Sequence, residues 1–262
     1  LMLLVHGAGE HSGRYDHFAE YFTAQGFVVA ALDHPGHGRS EGRRAYIARF
    51  DNYLDALHRF HQQVSAEFGG LPQFLVGHSM GGLISSHYLL QHQDAFVGCV
   101  LSGPLLQTEL KPGFVQMTLA RTLSAVLPTI GVLQIDASGV SRDPEEVRKY
   151  RDDPLVYHGK ASARTLVELF DAMDRIQAQA GRIRLPLLLI HGGDDVLASP
   201  EGSRFLHAHA ASGDKTLRIY PGLYHEIFNE PEREGVFVEV RDWCARVLQE
   251  AHHGLPKVVH AG

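Results

Sequence analysis

The stretch Gln73-Phe-Leu-Val-Gly-His-Ser79-Met-Gly-Gly-Leu-Ile-Ser-Ser-His-Tyr-Leu-Leu90 constrains the chain more than any other. Phe74, Leu75 and Val76 make an apolar run of buried-strand character, and Leu83, Ile84, Tyr88 and Leu89 recur at helical spacing. Strand and helix are joined by a turn too tight for ordinary residues. Gly77 and Gly81 suit it because neither carries a Cβ that would clash where the backbone closes on itself. The pattern G-x-S-x-G then places Ser79 at the carboxyl end of a strand and beside a helix N-terminus. Free N–H groups there favour an anion. A bare G-x-S-x-G also occurs in plain Gly-rich turns, so the flanking strand and helix carry the weight.

Before this stretch, Leu1 to Val5 reads as a buried strand, followed by the loop His6-Gly-Ala-Gly-Glu10. A helix from about Tyr15 to Gln25, with Gly26 as its stop, leads to a strand over 27–32. Phe50, Tyr53, Leu57, Phe60 and Val64 mark a long amphipathic helix. After the elbow come strands over 96–102, 185–190 and 216–220. A helix begins at Pro200 with Ser199 as cap, and a final helix spans about 231–250. Strands alternating with helices predict an α/β fold, a doubly wound and mostly parallel sheet with sites at the carboxyl ends of its strands. Between 104 and 181 the alternation stops and no strand is evident. The reading is core (1–103), helical cap insertion (104–181), core (182–250) and a loosely ordered tail (251–262) with His252, His253 and His260.

A net charge of −6 with mixed signs along the chain argues against a nucleic-acid partner. Cys99 and Cys244 have neither metal-ligand nor disulfide spacing and read as buried thiols. No stretch reaches the roughly 20 apolar residues that span a bilayer, so the default expectation is cytoplasmic, with contact at membrane surfaces. His34 and His37 show an H-x-x-H spacing, but in a Pro-Gly loop without helical ligand geometry; no metal and no cofactor is expected.

A serine hydroxyl needs a base to take its proton, and the base needs an orienting carboxylate. His225 follows the strand 216–220. Asp194 and Asp195 both follow the strand 185–190, and His191 at that strand's exit reads as a packing or locally hydrogen-bonded residue. Serine, aspartate and histidine in this order are the order of α/β-hydrolases. The oxyanion donors in such an arrangement are backbone N–H groups, here those of Met80 and Ala8.

His6-Gly-Ala-Gly-Glu-His-Ser-Gly-Arg-Tyr15, Asp33-His-Pro-Gly-His-Gly-Arg-Ser-Glu-Gly42 and Gly77-His-Ser-Met-Gly-Gly82 resemble monoacylglycerol lipases. So do Ser141-Arg142, Asp153-Pro-Leu155, Asp214 to Tyr220 and Tyr224-His225, and the similarity covers nearly the whole chain. The resemblance implies an α/β-hydrolase with a helical cap, the triad Ser79, Asp195 and His225, and backbone donors at Ala8 and Met80. The family pattern H-G-x-x-D is what singles out Asp195 over Asp194. It also implies that Glu10, Arg14, His78 and Tyr150 meet the glycerol end of the substrate. Family members normally begin with two further strands that are absent here, a departure from the family pattern at the edge of the sheet.

Val115, Met117, Leu119, Leu123, Val126 and Leu127 make the first cap helix apolar around much of its girth, with Arg121 its one charge. This predicts an acyl-lining side and a surplus for transient membrane-surface contact. The expected activity is cleavage of monoacylglycerols, a lipid ester, through an acyl-enzyme. Rival readings are a lysophospholipase or broad carboxylesterase on the same groups, a non-catalytic ligand-binding module, and a proline-type aminopeptidase, for which Glu10 alone would have to meet the free amine.

Overall fold

The computed structural model describes residues 1–109, 113–134 and 136–253. Along the chain the strands are β1 (Met2–Val5), β2 (Val29–Leu32), β3 (Phe74–His78), β4 (Gly98–Ser102), β5 (Gly131–Leu133), β6 (Ala161–Ser162), β7 (Leu187–Gly192) and β8 (Lys215–Tyr220). All but β5 and β6 form one sheet in the order β2-β1-β3-β4-β7-β8, with every neighbouring pair parallel. The helices are α1 (Asp16–Ala24), α2 (Asp51–Glu67), α3 (Met80–His92), α4 (Phe114–Val126), α5 (Pro144–Asp152), α6 (Ala163–Gln179), α7 (Pro200–His209) and α8 (Arg233–His253).

The central strands β1, β3, β4 and β7 are buried throughout, which is why each begins or reads as an apolar run. Leu3 and Val5 of β1 pack with Tyr53 and Leu57 of α2, Leu83 and Ile84 of α3 and Leu206 of α7. Their neighbours Met2 and Leu4 point the other way, into Phe18 and Phe22 of α1 and Phe237 and Val240 of α8. Cys99 and Cys244 are buried, one in each of these clusters.

Three sequence expectations are corrected. The segment between β4 and β7 is mainly helical as expected, but it also holds strands where none was expected: β5 and β6 pair antiparallel, Gly131 with Ser162 and Leu133 with Ala161. Elements of three and two residues are too short to show a strand's alternation. Ser199 does not cap α7; its hydroxyl donates to Glu109 Oε1 at 3.0 Å, a tertiary acceptor that wins over the local one. Helix α8 runs on through His253, and the rest of the tail, with His260, lies outside the described residues.

The insertion is fastened to the loops beneath it. Tyr157 N–H donates to the Gly9 carbonyl at 2.7 Å, and His11 Nε2 lies 2.9 Å from Asp153 Oδ2. On the other side, Arg142 Nε donates to the buried Glu230 Oε2 at 2.9 Å, Ser141 Oγ to the Asn229 carbonyl at 3.1 Å, and Glu226 N–H to the Val140 carbonyl at 2.8 Å. Within the insertion, Arg121 pairs with Asp171 at 2.6 Å, joining α4 to α6. Val115, Leu119, Val126 and Leu127 project from it, 78%, 68%, 71% and 52% exposed. Among the described residues no helix is long and apolar enough to cross a membrane.

Candidate active site

Ser79 sits between β3 and α3 with φ 53° and ψ −120°, a left-handed conformation that a side chain makes costly, of order 1–3 kcal/mol. The surroundings hold it there. Its N–H donates to the Ser102 carbonyl at 3.0 Å, and its own carbonyl accepts from Gly82 and Leu105, both at 2.9 Å, and from Leu83 at 3.2 Å. The two glycines of the motif are sterically required: a Cβ on Gly81 would lie 2.0 Å from the Val5 carbonyl oxygen, and one on Gly77 2.5 Å from Ser85 Oγ.

His225, in the loop after β8, places Nε2 2.8 Å from Ser79 Oγ and Nδ1 2.6 Å from Asp195 Oδ2. All three are buried. Of the two adjacent aspartates, Asp194 is exposed and Asp195 makes the contact. Asp195 is itself held firmly. Oδ1 accepts the N–H groups of Leu197 at 2.8 Å and Ala198 at 3.0 Å, and Oδ2 also receives His191 Nε2 at 3.0 Å. His191 Nε2 is 3.1 Å from the Ala198 carbonyl too, so two acceptors face it and the proton resides there; Nδ1 then accepts from Ser203 Oγ at 2.7 Å. The local bonding expected of His191 is a bond to the triad carboxylate.

Burial alone would raise the Asp195 carboxyl, but the charges and hydrogen bonds of His225 and His191 hold it well below the usual carboxylate range. For His225 burial pulls downward, and the Asp195 carboxylate, helped by Glu226 and Glu10, overcomes it and lifts the imidazole above its ordinary 6.5. The arrangement can accept a proton from a serine hydroxyl and hold it. Ala8 and Met80 line the same cavity as Ser79, and among the described residues neither N–H has an acceptor.

The four residues expected at the alcohol end are gathered beside this group. Glu10 Oε2 accepts from Arg14 Nη1 at 2.9 Å, the Arg14 guanidinium lies 4.8 Å from the centroid of the Tyr150 ring, and the His78 ring is 4.8 Å from that of His225. Burial, with the charge of His225, pushes the His78 imidazole down to about 4, so it is neutral at pH 7. Sequence reasoning missed Glu226. It receives both Arg14 Nη1 at 2.6 Å and Nη2 at 2.7 Å, and it lines the cavity. Its adjacency to His225 was the available signal; its partner lies 212 positions upstream.

The cavity has a volume of about 410 Å³. Leu105, Leu133, Leu169, Phe170, Met173 and Leu197 give it apolar lining, and Glu10, Glu226 and Tyr150 add polar groups. His34 and His37 serve a different purpose from ligation. Their rings pack on His6 at 4.4 and 5.4 Å, and among the described residues no three His, Cys, Asp or Glu side chains are grouped to hold a metal ion.

The chain is similar to known proteins over most of its length. The family model described as "Serine aminopeptidase, S33" matches residues 1–232. The monoacylglycerol lipase of Mycolicibacterium smegmatis is 40% identical, over 95% of this chain and 89% of that one. The monoglyceride lipase of Rattus norvegicus is 36% identical, over 96% and 84%. The crystal structure of Paleococcus ferrophilus monoacylglycerol lipase superposes with a TM-score of 0.85 at 35% identity, covering 94% of each chain.

Proposed function

Because this chain belongs to the monoacylglycerol lipase family of α/β-hydrolases, we propose that it is a serine hydrolase that splits monoacylglycerols into glycerol and free fatty acid. In this reading Ser79 Oγ attacks the ester carbonyl while His225 Nε2 takes its proton. Asp195 keeps the imidazole proton on Nδ1 and steadies the imidazolium that forms. The N–H groups of Ala8 and Met80 receive the oxyanion, and His225 then protonates the departing glycerol oxygen. Water, deprotonated by the same imidazole, cleaves the acyl-enzyme. No step calls on a metal or organic cofactor.

The observation that carries the reading is the mixed lining of the cavity beside Ser79, mostly apolar with a few buried polar groups. Its apolar part suits one acyl chain, each buried methylene contributing about 0.8 kcal/mol. Its polar part, with Glu10, Arg14, His78 and Tyr150, suits a small hydroxylated alcohol. Residues 104–181 act as a cap that roofs this cavity. The test is a rate panel of monooleoylglycerol, dioleoylglycerol, oleoyl lysophosphatidylcholine and a short p-nitrophenyl ester, with Ser79→Ala as the blank. Monooleoylglycerol is expected to have the highest kcat/KM. A faster lysophospholipid would move the assignment to lysophospholipase, and even rates would make it a broad carboxylesterase.

The exposed Val115, Leu119, Val126 and Leu127 support a second part of the proposal, a peripheral, transient contact with the lipid surface that holds the substrate. Arg121 is committed to Asp171, so the contact rests on apolar area and not on anionic lipid. Flotation with neutral phosphatidylcholine liposomes should carry the protein upward, and Leu119→Ser with Val126→Ser should cut the floated fraction several-fold. A wild-type protein that stays at the bottom rules the contact out.

A further inference from the structure

The alcohol end of the cavity holds two carboxylates and one guanidinium. Glu10 Oε1 accepts from Gly7 N–H and from the Tyr15 hydroxyl, both at 2.6 Å, while Oε2 accepts from Arg14 at 2.9 Å. Glu226 accepts from both Arg14 nitrogens, at 2.6 and 2.7 Å, and from Asn229 Nδ2 at 2.8 Å. In this network both side chains only accept, the role a carboxylate plays. Both are almost wholly buried, 3% and 4% exposed, and both line the cavity. The Arg14 side chain, 7% exposed, spends its hydrogen bonds on the two glutamates and lies over the Tyr150 ring. His78, neutral at pH 7, adds no cation. The wall that meets the leaving alcohol therefore carries one unbalanced negative charge in a place largely shut off from water.

We propose that this excess charge makes the enzyme select its substrate by the charge of the alcohol, refusing anionic heads such as a glycerol phosphate and admitting neutral and cationic ones, with Glu226 as the residue that sets the rule. The inference rests on the esterase reading above. A buried carboxylate has little counter-charge to spare for a phosphate, and a phosphate brought beside it loses its hydration without gaining a cation. Removing the charge of Glu226 leaves Glu10 and Arg14 balanced. Glu10 alone would not give this selectivity, since Arg14 already neutralises it.

The test is a charge series on one acyl chain: monooleoylglycerol, its glycerol phosphate counterpart (oleoyl lysophosphatidic acid) and the oleoyl ester of an aminopropanediol, presented in the same non-ionic detergent. Wild type should prefer the neutral over the anionic ester by about 100-fold in kcat/KM, the size expected for one uncompensated like charge a few ångströms away. The cationic ester should match or exceed the neutral one. Glu226→Gln should raise the anionic-to-neutral ratio by about tenfold or more. The ratio is taken within one preparation, so a general loss of activity or of folded enzyme cancels; if Glu226→Gln is insoluble, Glu10→Gln tests the same charge balance. Anionic turnover within threefold of neutral in wild type, or a ratio that neither variant moves, overturns the inference. Turnover of simple esters with little turnover of monooleoylglycerol in wild type would instead count against the monoacylglycerol reading.

Discussion

Asp195→Asn is expected to lower kcat by about 10⁴ while leaving the folded structure in place, because it forces the wrong proton arrangement onto His225. The backbone N–H groups of Leu197 and Ala198 both point at Oδ1 of Asp195, so the asparagine oxygen is compelled to sit there. Its NH₂ group then faces His225 Nδ1 and His191 Nε2. Confronted by a donor, His225 turns Nδ1 into an acceptor and carries its proton on Nε2, against the Ser79 hydroxyl it should deprotonate. Steady-state rates on monooleoylglycerol, with the rate of fluorophosphonate labelling at Ser79, measure the effect. Wild type should also lose kcat/KM in acid with a midpoint above 6.5, the direction of the His225 shift. A variant that retains more than a tenth of wild-type kcat would show that Asp195 does not govern the imidazole.

The second large effect is on stability. Burial holds His6 at about 4, His37 at about 3 and His78 at about 4, and His34 well below 6.5, so all four are neutral in the folded protein. Unfolded, each takes up a proton near 6.5. Their contribution is complete above that value and drains away as pH falls from about 6.5 towards 4. His225, raised in the folded state, works in the opposite direction in this window, but it is one group against four. Asp195 and Glu226, both held low, begin to be lost only near the ordinary carboxylate range. The net loss between pH 7.5 and pH 5 is of order 5 kcal/mol, a large part of the 5–15 kcal/mol that usually holds a protein together. At about 2–4 °C per kcal/mol, Tm should fall by roughly 10–20 °C. His34→Leu should flatten this dependence. Both His34 ring nitrogens lack a hydrogen-bond partner among the described residues, so the leucine removes a titrating group without breaking a bond. A Tm that moves by less than about 3 °C over this range contradicts the account.

Much of this was legible in the sequence, for physical reasons. A strand covered on both faces cannot hide its identity, so the central strands β1, β3, β4 and β7 announced themselves by their apolar runs. The elbow was legible because a left-handed serine flanked by crowded backbone leaves glycine no substitute. His225 followed from a strand exit and chain order, which left Asp194 and Asp195 both open until the family pattern chose Asp195. What could not be read depended on partners far along the chain or on elements too short to show a period. The pairing of β5 with β6 involves only a few residues. Glu226 acquires its meaning from Arg14, and Ser199 abandons its cap for Glu109, both through contacts that no local pattern encodes. His34 and His37 offered a ligand-like spacing, whereas their rings answer to His6 and Tyr53.

The peptide of Ser79 is committed on both sides, and one of its bonds comes from Leu105, at the threshold of the insertion. The next positions are moored as well: the Leu106 carbonyl accepts from Gln177 and the Gln107 carbonyl from Ser199 N–H. One of these moorings reaches back from α6, because Gln177 lies well past Gln107, so the Ser79 turn and the segment between β4 and β7 are tied to one another. Chimaeras that exchange residues past Gln107 should therefore keep Gln177, or an equivalent donor to the Leu106 carbonyl, if the Ser79 turn is to stay as it is.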